Sequence, residues 1–133
     1  MGFTLLGMTF LVLRPQHDIV YSTRYYNSGE EPSYYHIWRI NSAGSGLVQL
    51  TSDSSNDRSP VWLADGKTIL FVRETANTRK ICSVGERGGP VTELGSLPDG
   101  YVGMESVAPN RRSLVYLARD SEWKLILFEM ASK

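Results

Sequence analysis

Three stretches of this chain can be laid over one another, and that self-similarity limits the folds open to it. Ile69-Leu70-Phe71-Val72-Arg73 has a counterpart 45 residues on, Leu114-Val115-Tyr116-Leu117-Ala118. At a shift of 50, Asp18-Ile19-Val20-Tyr21-Ser22 falls under Thr68-Ile69-Leu70-Phe71-Val72. A second block, HIWRINSAGSGLVQLT (His36–Thr51), lies over KICSVGERGGPVTELG (Lys80–Gly95) at a shift of 44 without a gap. LILFEMASK (Leu125–Lys133) continues the pattern. Self-similarity at this spacing marks repeat architectures, in which each unit buries its apolar faces only against its neighbours.

The content of one unit follows from SPVWLADGKTILFV (Ser59–Val72). Asp65-Gly66 between two apolar runs predicts a hairpin closed by a two-residue type I′ turn, with φ > 0 at both central residues. Pro60–Leu63 and Lys67–Val72 then become adjacent antiparallel strands. Pro60 has no N–H to donate and belongs at the strand start. Ile69–Val72 is apolar at every position, so both of its faces are buried. The run is short, rich in β-branched and aromatic residues and bounded by turn residues, which favours a strand over a helix. Trp62, just before the turn, reads as a core anchor. A strand near Ile37–Ile40, a glycine-rich turn (NSAGSG, or GERGGP in the next copy) and Leu47–Leu50 complete a four-stranded antiparallel unit. Stacking such units about an axis gives a β-propeller. The fold class is therefore all-β: about three blades, near residues 9–51, 58–95 and 102–133, within one domain of 133 residues.

The stretch SPVWLADGKTILFV resembles the P-x-W-S-P-D-G-K-x-I-x-F signature of TolB-like propeller repeats, also called WD40-like or PD40 repeats. IWRINSAGSGLVQLT resembles the segment that precedes this signature, I-Y-x-M-x-x-D-G-x-x-x-x-x-L-T. The likeness spans about Asp18–Lys133. Leu63-Ala64 stands where Ser-Pro is usual, Asn110-Arg111 where the third copy would carry Asp-Gly, and Pro15-Gln16 in the first. The resemblance implies a propeller that presents its rims and channel to a protein or peptide partner, in the periplasm or outside the cell. TolB-like blades are also similar to the gating propellers of prolyl-oligopeptidase-type hydrolases, which gives the alternative reading.

Composition narrows the chemistry. With 14 basic and 14 acidic residues the formal net charge is zero, so no basic patch calls for nucleic acid. No Gly-x-Ser-x-Gly elbow occurs. His17 and His36 have no metal-type spacing to each other or to Cys82. The acidic cluster Asp53…Asp57 lacks the spacing of a calcium loop and reads as a solvated connection between blades. These observations predict no catalytic residue, no metal and no cofactor. A single cysteine excludes an internal disulfide, and the mid-strand position of Cys82 reads as a packed, unreactive thiol.

One segment stands apart. RYYNSGEEPSYYHIW (Arg24–Trp38) carries two tyrosine pairs and a tryptophan, and it is longer than its counterparts RETANTRK and ARDSEWK. It lies between the second and third strands of its blade, on a rim. Tyr25, Tyr26, Tyr34 and Tyr35 are candidate partner-binding residues. The competing reading packs Tyr25, Tyr35 and Trp38 between blades. Arg58, Ser59 and Glu105, which precede or sit on innermost strands, are candidates to line the central channel, and Arg58 and Glu105 to meet a partner there. Met1–Leu13 is too short to span a membrane. It reads as a first strand, with Thr9–Leu13 pairing with Asp18–Thr23, or as part of an export signal. Three blades fall short of the four to eight that close a ring, which predicts self-association or membership of a longer propeller.

Overall fold

A computed structural model describes residues 11–13, 18–24, 34–98, 101–107, 113–119 and 122–129, with only the backbone described at 11–13, 101–107, 114–118, 125, 126 and 128. The described residues form eleven strands and no helix. The first sheet is β1 (Leu11–Leu13), β2 (Asp18–Thr23), β3 (His36–Asn41) and β4 (Val48–Gln49). The second is β5 (Asn56–Trp62), β6 (Thr68–Glu74), β7 (Arg79–Gly85) and β8 (Gly88–Ser96). The third is β9 (Tyr101–Val107), β10 (Ser113–Arg119) and β11 (Trp123–Glu129). Each sheet is an antiparallel meander in chain order. The first strands of the sheets gather: β5 touches β1 and β9 and packs on β2 and β3. This is the arrangement of adjacent propeller blades.

The all-apolar run explains the stacking. Ile69, Leu70, Phe71 and Val72 are all without exposed surface. Ile69 and Phe71 point into a core shared by two sheets, with Val20, Ile37 and Leu50 from the first and Trp62, Cys82 and Val84 from the second. Leu70 and Val72, by strand alternation, face the other way. Neither sheet could bury both faces of β6 alone. Ile19, Tyr21 and Ile40, with Trp38 beside them, form a smaller cluster on the far face of the first sheet.

The repeat registers carry over to the strands. Ile19 pairs with both Leu13 and Ile40, and Ile69 with both Trp62 and Val84. Leu11–Leu13 forms the strand expected of it, opposite Ile19–Tyr21, while Thr9 and Phe10 lie outside the described residues. So do Pro15-Gln16 and Asn110-Arg111. The glycine-rich segments are hairpin connections: Gly44 and Gly46 take positive φ between β3 and β4, and Gly88 and Gly89 at the start of β8. Where β4 runs out, Thr51 substitutes for backbone. Its Oγ1 accepts the Ile37 N–H at 3.0 Å, and the Leu50 N–H donates to the Ile37 carbonyl at 2.8 Å.

Two expectations for the β5–β6 hairpin need correction. The Asp65-Gly66 turn is not a two-residue type I′ turn. Gly66 has φ 64°, but Asp65 has no positive φ. The loop is wider: the Leu63 N–H donates to the Thr68 carbonyl at 2.9 Å and the Gly66 N–H to the Leu63 carbonyl at 3.0 Å. The Asp65 carboxylate accepts from the Lys67 N–H at 2.8 Å, the Thr68 N–H at 2.9 Å and the Thr68 hydroxyl at 2.7 Å. Three donors on one side chain hold the broader turn, a local option open to aspartate that the tight turn forgoes. Pro60, expected at the strand start, sits inside β5. The register between β5 and β6 shifts between Arg58 and Val61. Pro60 is tolerated because that bulge takes its place out of the ladder.

Trp62→Ala is expected to cost roughly 3–5 kcal/mol, the range for truncating a large core side chain. Denaturant unfolding of the two proteins measures it, and an unchanged midpoint would remove Trp62 from the shared core. Gly66→Val is expected to cost roughly 1–2 kcal/mol, because a β-branched residue is strained at positive φ. The same unfolding experiment reads the difference.

Candidate functional site

The strand ends define one rim. β2 ends and β3 begins there, with Thr23 opposite His36. β5 begins and β6 ends there, with Asn56 opposite Glu74, and β7 begins opposite Glu74 at Arg79. The polar side chains of interest converge at the seam between the first two sheets on this rim.

The seam is tied by backbone and side chain together. The Asp57 N–H donates to the Tyr35 carbonyl at 2.9 Å, and the Tyr35 N–H to Asn56 Oδ1 at 3.0 Å. The Ser22 hydroxyl donates to the Asp57 carbonyl at 2.8 Å inside the protein. The Asp57 side chain has no exposed surface. Its register partner on β6 is Arg73, which donates through Nε at 2.8 Å to one carboxylate oxygen and through Nη2 at 3.0 Å to the other. Arg73 Nη1 reaches Asp53 at 2.9 Å, and its guanidinium lies 5.6 Å from the centre of the Phe71 ring. The hydrogen bond to Asp57 raises the Arg73 pKa against the opposing effect of burial. The Asp53…Asp57 cluster is therefore not simply a solvated connection. Asp53 is largely exposed, but Asp57 is a buried ion-pair member.

His36 opens β3 beside this network. Burial lowers its pKa below 6.5; Asp57 and then Asp53 oppose that shift, and Arg73 reinforces it. Its Nδ1 is buried with no hydrogen-bond partner among the described residues. Cys82 lies in the shared core, and burial pushes its thiol up to about 11.

Of the residues singled out in the sequence, the fold brings Tyr35 and Arg58 together. The Arg58 guanidinium carbon lies 4.1 Å from the centre of the Tyr35 ring. Tyr34, next to it, is 36% exposed. Tyr25 and Tyr26 lie outside the described residues, and Glu105 falls on β9, where only the backbone is described. Trp38 packs on the far face of the first sheet, not at this rim. Arg24 was not singled out, yet its guanidinium carbon stands 4.3 Å from the same Tyr35 ring. Its signal was present in the sequence: Arg24 and Tyr35 close the two ends of the tyrosine-rich insertion, so strand pairing makes them neighbours. Arg58 continues outward to Glu74 at 3.8 Å, and Glu74 to Arg79 at 3.4 Å. A cavity of about 280 Å³ opens beyond, between the Thr75–Arg79 turn and Ser96–Pro98.

With this geometry in hand, the chain can be set beside known proteins. It superposes on a TolB structure from Agrobacterium tumefaciens with a TM-score of 0.63, at 15% identity, over 84% of this chain and 41% of that one. The fold is that of TolB-like propeller blades. An acylaminoacyl peptidase bound to a Z-Gly-Gly-Phe chloromethyl ketone matches with a TM-score of 0.62, at 17% identity, over 87% of this chain and 18% of the other. The acylaminoacyl peptidase of Pyrococcus horikoshii gives 0.57 at 19% identity, over 84% and 17%. In sequence, the chain is 28% identical to dipeptidyl-peptidase 5 of Porphyromonas gingivalis over 79 residues, which is 59% of this chain and 12% of the peptidase. It thus spans about one eighth of that curated relative's length. No family profile matches the chain.

Asp57→Asn is expected to cost roughly 3–5 kcal/mol, because it leaves Arg73 charged and poorly paired in the seam. The double variant with Arg73→Met should recover part of that loss, and unfolding of all three proteins reads the coupling. His36 predicts a pH dependence with a definite sign. Its folded pKa lies below the unfolded value of 6.5, so the unfolded chain takes up the proton first as pH falls. Its contribution to stability is intact above 6.5 and is lost progressively below it, down to the folded pKa. The slope of stability against pH in that window should flatten in His36→Asn.

Proposed function

We propose that this chain is a non-enzymatic interaction module of TolB-like propeller blades, taking a protein or peptide partner on the rim where its first two sheets meet. The supporting observation is the Arg24–Tyr35–Arg58 stack with Tyr34 beside it. Tyrosine and arginine dominate binding hot spots, since a ring or a guanidinium offers much contact area for little lost freedom. Tyr25 and Tyr26, in the same insertion, and Glu105, on β9, belong to the proposed contact set. In this reading the partner meets the protein in the periplasm or outside the cell. Among the described residues no helix is long and apolar enough to cross a membrane.

Association with further blades fits the same proposal. Trp123 and Leu127 on β11, at the outer edge of the third sheet, are more than half exposed. A further blade, from a second copy or from a longer propeller, would cover them.

A second reading is favoured by the likeness to dipeptidyl-peptidase 5 and the acylaminoacyl peptidases. In it the blades are part of the substrate-access propeller of a prolyl-oligopeptidase-type hydrolase. An α/β-hydrolase domain encoded directly downstream would favour this alternative.

Selection of a random peptide library on the immobilised chain tests the module. Peptides should be enriched, and Tyr34→Ala should weaken the best of them roughly tenfold, about 1.4 kcal/mol. If no peptide is enriched, or if the variant binds as well as the wild type, the rim is not the binding surface.

A further inference from the structure

Ser59 has φ 54°, the one non-glycine residue with positive φ among the described residues. That region costs an ordinary residue roughly 1–2 kcal/mol. Ser59 also precedes a proline, and residues before proline favour extended backbone. The chain thus holds two unfavourable choices together, in the middle of the first strand of a sheet. Backbone strain of this kind persists where the surroundings enforce it and clusters at binding sites.

The bulge at Ser59-Pro60 immediately follows Arg58. Bulges re-aim side chains, and here Arg58 ends on the Tyr35 ring, 4.1 Å from its centre, with Arg24 4.3 Å from the same centre. Two like charges are held against one ring. Both Nε–H groups are buried without a hydrogen-bond partner among the described residues. Among the described residues no carboxylate lies within ion-pair distance of Arg24, and Arg58 meets only Glu74, at 3.8 Å. By contrast, Arg73, one strand away, is saturated by Asp57 and Asp53. In the free protein the pair gives up hydrogen bonds and bears repulsion and backbone strain with little return.

We infer that Arg24 and Arg58, set on Tyr35, form a carboxylate-binding site, and that the ligand it takes is a peptide carboxylate. This rests on the interaction-module reading and specifies its ligand. Stacking the guanidiniums on the ring fixes their planes and buries Nε, leaving the Nη edges to receive a planar anion. Glu74 beside Arg58 and Asp53 on Arg73 temper the local positive field, which suits a singly charged carboxylate better than a phosphate dianion. A peptide C-terminus and an acidic side chain share this chemistry.

Titration of the ¹⁵N-labelled full chain separates them, with the arginine Nε–Hε resonances of Arg24 and Arg58 as local reporters, assigned through Arg24→Lys and Arg58→Lys. Four probes are used: Ac-Ala-Ala-Tyr with a free C-terminus, the same peptide amidated, Ac-Ala-Glu-Ala-amide, and inorganic phosphate. A carboxylate-bearing peptide should shift both resonances, identifying C-terminus or side chain as the source, and should bind at least about tenfold more tightly than the fully amidated Ac-Ala-Ala-Tyr peptide. Arg24→Gln should abolish that preference while leaving the unfolding midpoint unchanged. Binding of both carboxylate-bearing peptides no tighter than that of amidated Ac-Ala-Ala-Tyr would overturn the carboxylate site and leave the interaction module standing. Phosphate matching the peptide acids would overturn the assignment to a peptide carboxylate. No shift of either resonance up to about 10 mM of any probe would overturn the site, and the library selection then decides the module separately.

Discussion

The seam between the first two sheets depends on one buried aspartate. Asp57 sits where the chain enters β5, and every group it offers is used: its N–H and carbonyl tie it to the first sheet, its side chain to Arg73 of the second. An isolated charge with no solvent would be expensive, and the two-pronged pairing with Arg73 offsets that cost. The value of such a pair lies in geometry. It can be satisfied in one register of β5 against β6 only. The bonds from the Asp57 N–H to the Tyr35 carbonyl and from the Ser22 hydroxyl to the Asp57 carbonyl then fix the first sheet against the second, whereas the apolar contacts below would tolerate small slides. That registration in turn puts Tyr35 next to β5 and within reach of Arg58.

Under the seam, apolar packing supplies the bulk of the adhesion. The Ile69–Val72 run of β6 has no polar face, so its sheet must have neighbours on both sides. Val20, Ile37 and Leu50 meet Ile69, Phe71 and Trp62 across one interface. The stack is thus quasi-one-dimensional, each sheet completing the burial of the next. Polar chemistry is left to the strand ends, and the Tyr35 rim is where the insertion between β2 and β3 adds side chains that the equivalent turns of the other sheets lack.

Much of this architecture was legible in the residues. The shifts of 45 and 44 place β10 on β6 and β7 on β3 because strands of equal role need equal apolar patterns. Trp62 and the Ile69–Val72 run declared themselves by size and by lack of alternation. The turn type at Asp65-Gly66 was not legible, because the Asp65 side chain outbids the backbone for the same donors. The bulge at Ser59-Pro60 was not either. A proline inside a strand reads as a boundary unless the ladder is known to skip it. Arg24 escaped notice because its importance comes from what the hairpin places beside it, not from its sequence neighbours.

The sequence by itself therefore determined the unit, its strand count and the faces each strand must bury, since these follow from local period and turn composition. Tertiary structure alone decided which charges meet. Asp57 and Arg73 are sixteen positions apart, Arg24 and Arg58 thirty-four, and no local pattern relates either pair. Register between strands and contact between sheets bring each pair together. Burial then sorts them by the balance of desolvation against pairing: Arg73 finds carboxylates and becomes part of the frame, and Arg24 and Arg58 find a ring.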